Sequence, residues 1–477
     1  PYDPSNQSTL SEAFSALCEI LKFDLDKNWP DFFDVFFSFT SNSPINGLNF
    51  LSYFASEIMS DTENLMTSNK ASELMWICTD QIDRILSFGF SILQQNTNDA
   101  LIIKSALPLF SILVTWIPAK AFQSPIFNLI TTVFINDPKY ALESCEVLIE
   151  FLRTINAFPE FVGNASQFFN MIIETLHNLC GGDYLSFPYR IANMFLNMMD
   201  KCLTNFTVIF NQTDIQAPLQ HAYTWLMQLT KNADDQTIQE QCYCVWMNSY
   251  NKLLLDKVSQ ETRNILTQFM GPLRRTIIET IPQPYKIVTY IDDFNNETRV
   301  LQTQQFQSTL YSTVRDCFIF LTNADKEDTI NAINERFNQA PELSVEDIQK
   351  LGYSIAATCG VFDEQIEDTV ISSIIEKYFK LCQEPNQKVQ STEGGQMRVA
   401  CGLIYMCSQY FTILNRFNTL LKAILQLILK FLTEGDFELQ AVSINALKTL
   451  SQRCKTMVVF PQNNESGSFL TLLLSNT

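Results

Sequence analysis

Apolar residues recur along the chain at the three- to four-residue spacing of amphipathic helices. From Asp137 to Leu152 they share one helical face, and Asp137 followed by Pro138 predicts an N-cap and a first helical position. The apolar positions of this window are Ala141, Leu142, Cys145, Leu148, Ile149 and Leu152. Similar windows occupy Leu10–Phe23, Met75–Leu93, Phe168–Leu179, Pro188–Leu203, Leu219–Leu229, Glu240–Leu254, Thr262–Ile281 and Gln307–Leu321. The pattern therefore predicts an all-α protein.

Short polar connections separate these windows, and successive helix pairs recur at about the 40-residue period of HEAT-like units. No strict consensus repeats, which is usual where each pair need only bury its face against its neighbours. The chain has 13 Gly and 17 Pro among 477 residues, too few to punctuate the strands of a β-sandwich. We predict a HEAT-repeat solenoid, a superhelix of antiparallel helix pairs.

Two segments interrupt the helical pattern. Lys286–Tyr290 and Arg299–Leu301 are rich in β-formers and flank a polar stretch, which predicts a β-hairpin between helices. The alternative is a disordered inter-helix loop, although order or function is the more usual explanation of a long insertion in a compact array. The polar stretch Gln383–Gln396 contains Pro and two Gly and predicts a flexible loop.

Charge and composition limit the classes of function. Asp and Glu number 51 against 32 Lys and Arg, a net charge of −19 that would repel a phosphate backbone, so direct nucleic-acid binding is not expected. The acidity suits a basic protein partner, and equally it keeps a large apolar chain in solution. Lysines interrupt the longest apolar stretches and no signal peptide opens the sequence, so we expect neither membrane insertion nor secretion.

The thirteen cysteines lie mostly in apolar helical windows, as reduced buried thiols do. Cys242 and Cys244 are close together, but with only His177 and His221 and no CxxC a zinc site lacks ligands. The sequence has no phosphate-binding glycine loop, HExxH or GxSxG, and little histidine for acid–base chemistry. We therefore predict neither an enzyme nor a cofactor. Because the chain starts at Pro1 and its last residues read as apolar helix, we expect both ends to continue in a longer protein.

Two apolar stripes near the C-terminal end could line a slot between neighbouring helices. The first consists of Ile371, Ile375 and Phe379 at four-residue spacing, with Cys382 near its end. The second consists of Ile404, Ile413, Phe417, Leu420, Ala423, Leu427 and Phe431. Stripes of this kind are more often ordinary core, so spacing alone does not make them a binding site.

A collinear series of sequence strings resembles one family, the exportins of the karyopherin class that carry leucine-rich export signals. The strings are Asn28-Trp-Pro-Asp-Phe-Phe33, Trp116-Ile-Pro118, Leu310–Leu321, Leu351–Gly360, Val370–Cys382 and Gln409-Tyr410. The resemblance implies one HEAT array over 1–477, roughly the third to twelfth repeats of a longer exportin. It also implies an acidic hairpin at 284–303 and export-signal-binding groove repeats at 364–435.

By that resemblance both apolar stripes line the export-signal groove. Its implied residues are Ile371, Ile375, Phe379, Cys382, Ile404, Ile413, Phe417, Leu420, Ala423, Leu427 and Phe431, with rim charge from Lys388, Lys422 and Lys430, and a regulatory hairpin carrying Asp292, Asp293 and Glu297. Cys382 falls on the family's accessible groove cysteine. The chain departs from the family at Leu427, where a lysine is usual, and carries extra residues after Cys382.

The implied function is nuclear export. Such a receptor binds cargo in the groove cooperatively with Ran-GTP, contacts nucleoporins with Phe-Gly repeats, and shuttles between nucleus and cytoplasm. Two other interpretations stay open: a HEAT-repeat scaffold outside transport, and an importin-like receptor from which Ran-GTP would dissociate cargo.

Overall fold

A computed structural model describes residues 7–25, 28–40, 42–64, 76–96, 99–155, 159–181, 188–212, 214–255, 257–291, 297–302 and 309–455. The chain forms two compact units. The first comprises Pro1–Leu229 and Asn248–Ile265, and the second comprises Thr230–Met247 and Leu266–Thr477. No described helix is both long and apolar enough to cross a membrane.

Helices form nearly all of the regular structure before the hairpin. In chain order they are α1 (Gln7–Asp24), α2 (Phe32–Thr40), α3 (Pro44–Asn64), α4 (Ile82–Gln95), α5 (Ala100–Trp116), α6 (Pro118–Gln123), α7 (Pro125–Thr132), α8 (Ala141–Thr154), α9 (Ala165–Leu179), α10 (Tyr189–Thr204), α11 (Phe206–Phe210), α12 (Gln216–Asn232), α13 (Gln236–Leu255), α14 (Gln260–Thr267) and α15 (Met270–Thr280). Short 3-10 turns occupy Phe134–Asn136 and Pro159–Asn164.

The first unit has two layers of helices. In one layer α3, α5, α8 and α10 pack on one another in succession, while α2, α4 and α9 pack against α3, α5 and α8. Phe151, Phe169 and Phe195 are completely buried between the helices. This is the arrangement expected of stacked helix pairs, each burying its apolar face against its neighbours.

Helix α8 tests the sequence pattern at residue level. The predicted apolar face is buried except at Leu142, which is half-buried. The predicted start is wrong: the helix begins at Ala141, and Pro138 lies in the preceding turn. The Asp137 carboxylate instead accepts a hydrogen bond from the Lys139 backbone N–H at 3.0 Å. This local Asx turn places the Asp137 side chain in the turn before the helix, three residues short of the observed N-cap position at Tyr140.

The second unit continues the pattern after the hairpin. From the hairpin onward its elements are β1 (Lys286–Ile291), β2 (Glu297–Gln302), α16 (Thr309–Ala324), α17 (Lys326–Asn338), a 3-10 turn (Ala340–Glu342), α18 (Val345–Ala357), α19 (Glu364–Ile366) with a π-helical turn (Glu367–Ile371) leading into α20 (Ser372–Gln383), α21 (Gln387–Ser391), α22 (Gly395–Gln409), α23 (Phe411–Arg416), α24 (Asn418–Glu434) and α25 (Phe437–Arg453). In one layer α18, α22 and α25 pack in succession, while α20 packs on α22 and α24 on α25.

A close helix contact in the second unit brings Gly352 of α18 against Gly402 of α22. A Cβ on Gly352 would lie 3.0 Å from the Gly402 carbonyl carbon. The buried Tyr378 hydroxyl of α20 reaches across this contact and donates to the Ile348 carbonyl at 2.7 Å. The absence of a side chain at both glycines therefore allows three helices to meet.

The predicted hairpin is confirmed. β1 and β2 pair antiparallel, with Ile287 opposite Leu301 and Val288 opposite Val300. The predicted loop at Gln383–Gln396 is wrong in its centre, which forms α21. The Asn386 side chain stabilises the start of this helix, because its Oδ1 accepts a hydrogen bond from the Val389 N–H at 2.8 Å. Its Nδ2 donates to the Ala340 carbonyl at 2.6 Å.

Candidate functional site

The first predicted stripe lies mostly inside the second unit. Ile371 and Ile375 are completely buried, and Phe379 is half-buried. Two members of the second stripe, Ile404 on α22 and Ile413 on α23, are also completely buried. In the described conformation these four isoleucines form core, and their role in a groove stays a prediction.

Cys382, at the end of α20, is 5% exposed. Burial, with a smaller contribution from Cys407, raises the pKa of its thiol well above the ordinary value. Only the thiolate is a strong nucleophile, so a buried and protonated thiol is unreactive. In this conformation an electrophile in solution does not reach the sulfur.

The rest of the second stripe faces outward along α24. Phe417, which precedes the helix, is 36% exposed, and the other members are half-buried. Those members are Leu420, Ala423, Leu427 and Phe431. Their spacing puts them on one flank, about a quarter turn from the core face formed by Leu421, Ile424, Leu425 and Ile428. α24 thus presents a continuous apolar strip at the surface.

The predicted rim lysines differ in their surroundings. Lys388 is exposed on α21, where its ammonium donates to the Glu342 carbonyl and lies 3.8 Å from the Glu342 carboxylate. Lys430 is exposed on α24 and lies 3.8 Å from Glu434 one turn later. Lys422 is half-buried near the start of α24. Exposed pairs of this kind contribute about 0.2–1 kcal/mol each, so they can adjust register but not supply the main affinity.

Arg416, at the end of α23, was not predicted from the sequence. It lies within the second stripe in sequence, between Ile413 and Phe417, and pairs with two carboxylates of the π-helical turn that leads into α20. Its guanidinium lies 2.9 Å from Glu367 and 2.6 Å from Asp368. The only sequence signal was a single arginine within an apolar segment, which does not specify a partner almost 50 residues away.

The hairpin is tied to the helices behind the stripes by a chain of hydrogen bonds. Tyr285, just before β1, donates to the Glu438 carboxylate of α25 at 3.0 Å and lies 2.8 Å from the Tyr353 hydroxyl. Because a carboxylate only accepts, Tyr353 must donate to Tyr285, and Gln349 donates to Tyr353 at 2.7 Å. All the donors therefore point along the chain towards Glu438.

Of the predicted regulatory acids, Glu297 lies in the described part of the hairpin. Glu297 begins β2 opposite Ile291, and β2 lies against α25. Asp292 and Asp293 lie outside the described residues. Their proposed role at the hairpin tip stays a prediction.

The described residues contain no group of three or more His, Cys, Asp or Glu side chains able to hold a metal ion. Cys242 is buried and Cys244 is exposed, although they are two residues apart. The two histidines lie in the first unit with ring centroids 5.2 Å apart, packed on Trp225. These residues form part of an aromatic cluster.

Comparison with known proteins finds similarity to the same family that the sequence strings resemble. Residues 9–148 match a family described as exportin 1-like protein. The chain is 21% identical over 511 residues to exportin-1 of Schizosaccharomyces pombe and 22% identical over 493 residues to exportin-1 of Dictyostelium discoideum. Each alignment covers 96% of this chain and 46% of the relative, so the chain spans about half the length of the curated relatives it matches.

Among solved structures, importin-13 in its cytosolic state aligns with 94% of this chain and 54% of its own, at a TM-score of 0.63 and 11% identity. At that identity the likeness shows the fold alone. The predicted all-α HEAT-repeat fold is confirmed, and so is the resemblance to the exportins.

Proposed function

We propose, from the premise that this chain is a divergent relative of exportin-1, that it acts in nuclear export by binding leucine-rich export signals in an apolar groove bordered by α20 and α24. The observation that carries the proposal is the partly exposed apolar strip formed by Phe417 and one flank of α24 as far as Phe431. It lies within the segment 364–435 where the sequence resemblance puts the groove.

The strip suits an amphipathic peptide with spaced Leu, Ile or Phe, the helix-in-groove mode of recognition. Fully burying a large apolar side chain contributes about 1.5–3 kcal/mol. The most exposed member, Phe417, is 36% exposed, so each member can gain at most roughly a third of that energy on binding. Four such members, with the matching side chains of the peptide, can supply a micromolar affinity, which needs about 8 kcal/mol after the costs of association. The rim lysines would add pairing with acidic residues of the signal.

We propose that the described conformation is the closed state of this groove, because Ile371 and Ile375 of the first stripe are buried. Opening it would expose Cys382 and part of the Ile371 to Phe379 face, at a cost in apolar burial. In the proposed cycle Ran-GTP favours the open state, and because binding free energies are reciprocal, cargo then strengthens Ran-GTP binding by the same factor. The hairpin, tied to α25 through Tyr285, would take part by shifting the helices behind the groove.

The proposed receptor has protein partners and no catalytic role. The proposed partners are Ran-GTP, cargo with leucine-rich signals, and nucleoporins with Phe-Gly repeats. The protein would shuttle between nucleus and cytoplasm. We propose that 1–477 forms one HEAT array, with the hairpin at 284–303 and the groove repeats at 364–435. The alternative within transport is an importin-like receptor, from which Ran-GTP would release cargo.

Fluorescence anisotropy of a labelled leucine-rich peptide, titrated with the full-length protein with and without Ran-GTP, tests the proposal. Binding should strengthen with Ran-GTP and should be lost in Leu427→Glu, which puts a charge in the strip. The matched control is Ile444→Glu, an apolar position on α25 that is 59% exposed and outside the strip, and it should bind normally. No binding in either condition would leave a HEAT scaffold, and weaker binding with Ran-GTP would favour an importin-like receptor.

A further inference from the structure

A π-helical turn, Glu367–Ile371, lies between α19 and α20 and leads directly into α20. Two side chains bond to backbone carbonyls there: Thr369 donates to Gln365 at 2.7 Å and Ser372 donates to Asp368 at 2.5 Å. A π turn is rare and widens the helix locally, and such turns are frequent at functional sites. This π turn immediately precedes α20, one of the two helices that border the proposed groove.

Arg416 clamps this turn from the neighbouring repeat. Its Nη2 lies 2.9 Å from Glu367 Oε2, its Nε 2.6 Å from Asp368 Oδ1, and its Nη1 3.7 Å from Glu364. Glu367 is only 7% exposed, so its charge depends on the guanidinium for compensation. The planar fork of an arginine can bridge two carboxylates at once, whereas a lysine offers a single point charge.

The clamp joins the N-terminal ends of both groove helices. The π turn leads directly into α20, and Arg416 is followed by Phe417 and then by α24. Phe417 is the most exposed member of the apolar strip, and it lies at this end. Any change in the Arg416 contacts therefore alters the position of Phe417 relative to the start of α20.

We propose that Arg416 is a positioning residue for export-signal binding, holding the two groove helices at the separation that admits the apolar side chains of the signal. The inference rests on the proposed function and adds a residue and a mechanical role to the same site. The Arg416 contacts set the width of the groove at one end, whereas the apolar strip contacts the peptide.

A double-mutant cycle in the full-length protein tests this role. Arg416→Gln and Asp368→Asn each remove one side of the clamp, and Arg416→Lys keeps the charge without the fork. The control is Arg398→Gln, which breaks a 4.0 Å pair between α22 and Glu346 of α18 away from the strip. Peptide affinity is measured by anisotropy in the presence of Ran-GTP, with the melting temperature recorded for every variant.

We expect Arg416→Gln to weaken peptide binding about tenfold and Arg416→Lys to fall between it and the wild type. The double variant Arg416→Gln/Asp368→Asn should lose no more than Arg416→Gln alone, because both changes remove one interaction. Arg398→Gln should bind as the wild type does. Faster hydrogen exchange of the amides of the π turn in Arg416→Gln would support the mechanical role.

Three outcomes overturn the inference, and they differ from one another. If Arg416→Gln melts earlier but binds the peptide normally, the clamp serves stability alone. If the losses of the two single variants add in the double variant, the two residues act separately. If the wild type binds no export peptide at all, the proposed function fails, and the inference fails with it.

Discussion

Replacing Gly402 by alanine should destabilise the second unit sharply, because three helices meet where the new methyl group would stand. A Cβ at that position would lie 2.5 Å from the Tyr378 hydroxyl and 3.3 Å from the Gln349 carbonyl oxygen. The hydroxyl cannot move aside freely, because it is buried and donates to the Ile348 carbonyl. Either the helices separate or Tyr378 gives up its hydrogen bond.

The magnitude follows from these two costs. Overpacking of a close helix contact costs about 1–3 kcal/mol, and a buried hydrogen bond left unmade costs a further 1–3 kcal/mol or so. The better helix propensity of alanine offsets roughly 0.5–1 kcal/mol of this loss in the free energy of unfolding. We expect a net loss of about 2–4 kcal/mol, which for a unit of this size lowers the melting temperature by roughly 5–15 °C.

Thermal melting followed by far-UV circular dichroism measures the effect. The matched control is Gly89→Ala on α4 of the first unit, where a Cβ would meet only the Ile126 Cδ1 at 3.5 Å, so stability should be unchanged or slightly higher. Adding Tyr378→Phe to Gly402→Ala removes the clashing oxygen and should recover part of the loss. A Gly402→Ala protein that melts like the wild type, or a double variant with purely additive losses, would refute the steric argument.

Three further predictions concern single side chains. Tyr285→Phe removes the acceptor of the Tyr353 hydroxyl and should lower the free energy of unfolding in urea by about 1–3 kcal/mol. Alkylation of Cys382 by iodoacetamide, followed by mass spectrometry of its peptide, should be slow in the resting protein and faster with Ran-GTP, because burial keeps the thiol protonated. For Asp347, burial raises the carboxyl pKa, but hydrogen bonds from Ser344 and the charge of Arg336 outweigh it, leaving the pKa below 3.8. Its stabilisation is therefore present above that pH and lost as the pH falls through the folded-state pKa, so below about pH 4 acid unfolding should be shallower in Asp347→Asn.

Each of these predictions has a control in the same chain. Tyr189 is exposed, and Tyr189→Phe should leave unfolding unchanged. Cys244 is exposed and should be alkylated at the same rate with and without Ran-GTP. Glu346 neighbours Asp347 but is exposed, and Glu346→Gln should keep the acid unfolding of the wild type. Equal behaviour of a variant and its control would count against the corresponding prediction.

The sequence predicted the helices and the hairpin well because both leave a local periodic signal. The buried face of α8 follows directly from the spacing of Ala141 to Leu152, and the strands follow from two β-rich runs around a polar turn. The predicted ends of the helices were less accurate. The turn of Asp137 and the capping by Asn386 depend on which backbone group a short polar side chain bonds, and several partners are within its reach.

The candidate site was predictable only in part, since a periodic stripe does not distinguish core from surface. The α24 strip faces outward, whereas Ile371 and Ile375 on α20 are buried, although both stripes have helical spacing. Which flank of a helix is covered depends on neighbours remote in sequence. The Arg416 clamp and the contact between Gly352 and Gly402 depend on the same remote neighbours, and neither leaves a periodic signal in the sequence.

The bond between Tyr285 and Glu438 has a consequence for the order of folding. It joins residues 153 positions apart, so closing the chain between them costs more entropy than forming the local contacts of the intervening helices. We expect this hydrogen bond to form after the intervening helices have stacked and brought the two residues together. A shorter chain ending before α25 would keep every residue of β1 and β2, yet it would leave Tyr285 without its carboxylate acceptor.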